Sequence, residues 1–155
     1  MHWHPMIVHF PIALLVVAGV AYVLAWYNME QIRWSEGGYY LHILGLAGMV
    51  LAVLSGGQAE GELVRTPLIG DLLSRHELLG YLALWSMALL LVWQYVRQRR
   101  TARRERLLFA LVFWLCIGLM AAGAYQGGRL VYEAGAGVEP MIPYLRQQLP
   151  TEPAP

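Results

Sequence analysis

The stretch from Pro5 to Tyr27 reads PMIVHFPIALLVVAGVAYVLAWY, and its one strongly polar side chain is His9. At 1.5 Å of rise per residue it can cross a hydrocarbon layer of about 30 Å as a helix. It is a poor cleavable signal, because no Lys or Arg precedes it, the run is longer than a signal core, and no small-x-small site follows. It therefore reads as a retained first span. Three further apolar runs occupy about residues 39–57, 78–96 and 107–132. Of the 155 residues 58% are hydrophobic and 14% charged, whereas a soluble domain carries about a quarter charged residues. The expected fold is all-α, an integral membrane up-and-down four-helix bundle over residues 1–138. Beyond it Pro140, Pro143, Pro150, Pro153 and Pro155 predict an extended tail over 139–155.

Charge sets the expected topology. Between spans three and four lie Arg97, Arg99, Arg100, Arg103, Arg104 and Arg106 against one acid, Glu105. Such a loop is retained in the cytoplasm, which puts both termini outside a bacterial inner membrane. The arginine run could also suggest nucleic acid. Its place between two spans, with a net charge of only +1, makes orientation the simpler account, so the expected partners are the bilayer and protein subunits or a periplasmic redox protein.

Small residues predict close helix packing: Gly45, Gly48, Ala52 and Gly56 in span two, and Gly118 with Ala122 and Ala124 with Gly128 in span four. Thr66-Pro67 reads as a helix cap and first turn that open an amphipathic segment, Leu68, Ile69, Leu72 and Leu73, lying along the outer interface. Gly135 and Gly137 should end the last helix.

The five histidines carry the functional signal. His2, His4 and His9 cluster at the start of span one and His76 stands at the start of span three, on the same membrane face in an up-and-down bundle; His42 lies near the other end. Two imidazoles at matched depth on separate helices suit the two faces of a haem b iron, which makes His9 and His76 the expected axial ligands. Ala13 and Gly80, one turn beyond them, leave room for a flat macrocycle, and Arg75, Arg129 or Arg65 could pair with propionates. His42 would need a methionine or a second subunit to complete an iron site, or is a structural intramembrane histidine.

Two other readings stay open. The string Met1-His2-Trp3-His4-Pro5-Met6 with His9 offers imidazole and thioether groups suited to copper, and the whole chain could be a haem-free docking subunit. No enzyme constellation emerges. Glu60, Glu62, Asp71 and Glu77 are mixed with Arg65 and Arg75, Ser55 and Ser86 have no evident partner base, and Cys116 is one thiol in an apolar run.

The opening HPMIVHFPIA, residues 4–13, together with GGRLVYEAGAGV, residues 127–138, resembles the predicted membrane proteins grouped as the domain of unknown function 2231 family. HELLGYLAL, beginning at His76, is similar to that family's histidine at the head of its third helix. A further family histidine near Glu133 or Ala134 has no counterpart here. The family is in turn similar to two-haem membrane cytochromes of the b561 type, and that likeness implies a haem fold and electron transfer without naming a substrate.

Overall fold

The computed structural model describes residues 3–28, 32–61, 63–64, 66–97, 102–138 and 141–147. Among them the chain forms α1 (His4–Ile7), α2 (His9–Tyr27), α3 (Ile32–Glu60), α4 (Pro67–Arg97), α5 (Arg103–Tyr132) and α6 (Ile142–Gln147). Val8 keeps helical dihedrals, so α1 and α2 run on as one span from His4 to Tyr27. Four helices are long and apolar enough to cross a membrane. Their outward faces are apolar too: Leu115 is 73% and Leu89 69% exposed, an arrangement stable against lipid tails but not against water.

The helices form a ring in the order α3, α2, α5, α4. The pairs α2 with α3 and α4 with α5 pack tightly, and contacts between the two pairs are sparser. A seam thus runs the length of the bundle. Its middle is filled by Leu15, Ala18, Met49, Ala83, Met87, Phe113, Cys116 and Ile117.

Glycine explains why α2 and α3 lie so close. A Cβ at Gly45 would come within 2.6 Å of Leu15, at Gly38 within 2.7 Å of Tyr22, at Gly48 within 3.1 Å of Pro11, and at Gly56 within 3.1 Å of His4. The α3 stripe expected from sequence is therefore the packing face, and it extends one heptad further back, to Gly38. Helix α5 differs from expectation. Gly118 and Gly128 have open space where a Cβ would go, and the close contacts are at Gly123, against Leu79, and Gly127, against His76. The working spacing in α5 is a Gly-x-x-x-Gly pair offset from the one read in the sequence, because the rotation of α5 is set by Phe109, Phe113 and Cys116 turning into the core.

The segment after Thr66 is also placed differently. Thr66 caps the helix as expected, its Oγ1 accepting from the Ile69 N–H at 3.3 Å. What it opens is α4 itself, continuous from Pro67 to Arg97, and not a separate interfacial helix. Ile69 and Leu72 are buried with Leu130, Ala134, Ala136 and Leu145 in a second small core. Leu145 belongs to α6, so part of the tail expected to be extended folds back over this end of the bundle; residues 148–155 lie outside the described ones. The return is made by Gly135 at φ 66°. The Gly135 N–H donates to Val131 O at 3.1 Å and the Ala136 N–H to Leu130 O at 2.8 Å, nested bonds that close the helix one residue wider than a Schellman cap would.

Candidate functional site

At the end of the bundle that holds the small core of Ile69, Leu72 and Leu130, His4 of α1 meets His76 of α4. Their ring centres are 6.3 Å apart and their planes nearly perpendicular, at 85°. Each ring lies back against a glycine on the neighbouring helix, His4 against Gly56 and His76 against Gly127, where a Cβ would approach to 3.1 and 3.0 Å. Alanine at either position would push an imidazole toward the other.

The hydrogen bonds settle the tautomers. His76 Nδ1 is 2.8 Å from the Gly123 carbonyl, which only accepts, so Nδ1 carries the proton and donates. Ser55 Oγ donates to Ala52 O at 3.0 Å and has thereby used its one proton; at 3.0 Å from His4 Nδ1 it accepts from that ring. Both neutral imidazoles are left with the Nε2 lone pair. This is the state of a metal-ligating histidine, whose other nitrogen is fixed by a hydrogen bond to the protein.

The residues singled out in the sequence fall as follows. His76 is in the pair. His9 is exposed, and its Nδ1 bonds the Pro5 carbonyl on its own span; the structure brings His4, not His9, to His76. Ala13, one turn beyond His9, is exposed with it. Gly80, one turn beyond His76, has no heavy atom within 4 Å of its Cβ position. Arg75 is paired with Asp71 at 3.1 Å and Arg129 with Glu133 at 2.9 Å, each four residues along its own helix. Met1, His2 and Arg65 lie outside the described residues. Ser55, read as having no partner base, has His4. Among the described residues no group of three or more His, Cys, Asp or Glu side chains is placed to hold a metal ion.

His42 is different. It is fully buried, with Nε2 3.1 Å from Met87 O and Nδ1 3.4 Å from the Tyr22 hydroxyl. A carbonyl opposite Nε2 puts the proton there, the reverse of the tautomer at His4 and His76. The Tyr22 hydroxyl donates to Gln94 Oε1 at 2.5 Å. Phe113 stands edge-on to both the Tyr22 and His42 rings. These bonds tie α2 and α3 to α4 across the seam, and both His42 nitrogens face protein groups.

Fold and site together define a polytopic α-helical membrane protein with an imidazole pair at one end of its bundle. The family comparison agrees at that level: the chain belongs to the predicted membrane protein family DUF2231, whose profile matches residues 2–140. No curated protein and no solved structure matches it. The likeness to b561-type cytochromes thus receives no support from known structures.

Proposed function

We propose that His4 and His76 are the axial ligands of a b-type haem held in the seam, and that the protein carries electrons through it. One observation supports this above the others: two imidazoles on opposite sides of the seam, both with Nε2 lone pairs, have centres 6.3 Å apart. An iron–nitrogen distance of about 2 Å, plus roughly 1 Å from nitrogen to ring centre, separates two axial imidazole centres by about 6 Å. The surroundings fit a flat group. Gly56 and Gly127 let the rings recede toward their helices, and Gly80 leaves space on the α4 side. Ser55 and the Gly123 carbonyl fix the rings, and Arg75 and Arg129, already bonded to carboxylates, could reach propionates only by exchanging partners. Bound there, haem supplies one-electron exchange near one membrane surface.

The test is an absorption spectrum of protein purified from haem-replete membranes. Sharp reduced-minus-oxidised bands with about one haem per chain are expected. A colourless protein, or one holding stoichiometric copper, would reject this function in favour of docking or copper binding.

We infer the membrane orientation from the composition of the arginine-rich connection, six arginines against one acid, Glu105, which Arg97 holds by two bonds at 2.6 and 2.7 Å. A phosphatase fused after Val138 is expected to be active in the periplasm and one near Arg100 inactive. The opposite pattern would place the imidazole pair on the cytoplasmic side.

A further inference from the structure

At the arginine-rich end the seam is open. A cavity of about 40 Å³ is lined from all four spans, by Tyr22 of α2, Ser35 of α3, Gln94 and Arg97 of α4, and Glu105 and Arg106 of α5. An enclosed water needs roughly 10–15 Å³ by this measure, so about three fit. Ala25, Trp93 and Phe109 complete the wall, and the six polar side chains give each water hydrogen-bond partners. Glu105 is fixed at the rim by Arg97 and by the Trp93 indole N–H at 3.3 Å, and Arg106 reaches across to Ala25 O at 3.2 Å. At the inner end stand Gln94 and the Tyr22 hydroxyl, and 3.4 Å beyond the hydroxyl is Nδ1 of His42. Past His42 the seam is closed by Leu15, Met49, Ala83, Met87 and Phe113. The polar path therefore enters from one face and stops at a fully buried imidazole.

We propose that this cavity is a water-filled entrance through which His42 takes up and releases a proton from the arginine-rich face. His42 Nδ1 has the lone pair, since Nε2–H is committed to Met87 O. Tyr22 turns its hydroxyl proton from Gln94 to Nδ1 and receives one from cavity water. In balance, one hydronium becomes water, one N–H bond forms on His42, the imidazole gains a single positive charge, and the phenol is regenerated. The groups that set the energy of that charge are Tyr22 on α2, Ser35 and Tyr39 on α3, Gln94 and Arg97 on α4, and Glu105 and Arg106 on α5. An ionisable side chain at this depth is costly unless it has such a route to water. The proposal is independent of what His4 and His76 hold. Along α3, His42 and Ser55 are about 20 Å apart at 1.5 Å per residue.

Two measurements on the full chain in liposomes decide it. In a Cys116→Ser background, Ser35→Cys and Gln94→Cys should react with a charged, membrane-impermeant thiosulfonate from the arginine-rich face only, within tenfold of the rate at an Arg97→Cys control, while Met49→Cys stays unreactive. With [15N]histidine, solid-state NMR should show the His42 Nδ1 signal move from its unprotonated to its protonated position as the pH on the arginine-rich face is lowered, with proton exchange at that nitrogen at least tenfold slower in Tyr22→Phe. Should Tyr22→Phe fail to fold, Gln94→Ala replaces it and is expected to speed exchange by widening the entrance. Unreactive Ser35→Cys and Gln94→Cys, or exchange at His42 indifferent to both Tyr22 and Gln94, would overturn the proposal.

Discussion

Alanine at His76 is expected to abolish the low-spin haem binding proposed above, and alanine at His4 to do the same, whereas His9→Ala should leave the spectrum and the haem content of the wild type unchanged. The contrast rests on where the side chains are. The His4 and His76 rings meet nearly perpendicular, 6.3 Å apart across the seam, while His9 is exposed and bonded to its own span. Were haem held by this pair, loss of either imidazole would take away one of its two nitrogen ligands and would shift the absorption to a high-spin form or lose the group. A graded effect should follow at the next shell. Ser55→Ala removes the acceptor that fixes the His4 tautomer and should weaken binding by about 10- to 100-fold, the usual cost of deleting a bond behind a ligating histidine. His42→Ala should leave this signal in place. If His9→Ala removes the haem and His4→Ala does not, the pairing in the structure is not the functional one.

The second large effect is mechanical. Gly45→Val should strongly destabilise the bundle, because even its first side-chain carbon would stand 2.6 Å from the branch atom of Leu15. Leu15 is fully buried among core side chains and cannot withdraw. Overpacking of this kind costs about 1–3 kcal/mol, and more where backbone must shift. In a membrane the separation of α2 and α3 is not resisted by the hydrophobic effect, so close packing is most of what holds them. Gly37→Ala in the same helix is the control. Its Cβ would meet nothing within 4 Å, and alanine is favoured over glycine in a helix by about 1 kcal/mol. Thermal unfolding in mild detergent should show a clear loss for Gly45→Val and none for Gly37→Ala. Equal melting temperatures would mean that the Gly45 contact is loose in the protein.

Several of the site's features were legible with more care over helical phase. His4 lies in register with Pro11, Leu15, Ala18 and Tyr22, spaced by seven, four, three and four residues along one face, and the last four of these are buried. His9 is off that stripe. His9 is the more central of the two in the apolar run, and His4 is the one on the packing face. Ser55 was not recognisable as its partner, since it comes 51 residues later and only the close approach permitted by Gly56 brings the two together.

The number of spans, their approximate limits, the helical class and the glycine face of α3 were determined by the sequence itself. The reason is that lipid imposes local rules: a run either is or is not long and apolar enough to cross, and each spanning helix satisfies its own backbone without help from neighbours. Rotation of the helices about their axes was decided only by tertiary packing. So were the seam between the two tight pairs, the meeting of His4 with His76, and the link from His42 through Tyr22 to Gln94. With nearly every side of each span apolar, hydrophobic pattern does not distinguish the side facing lipid from the side facing protein. Steric fit of glycines against Leu15, Tyr22 and the two imidazoles, and the need to satisfy the few polar groups, make that choice once all four helices are together.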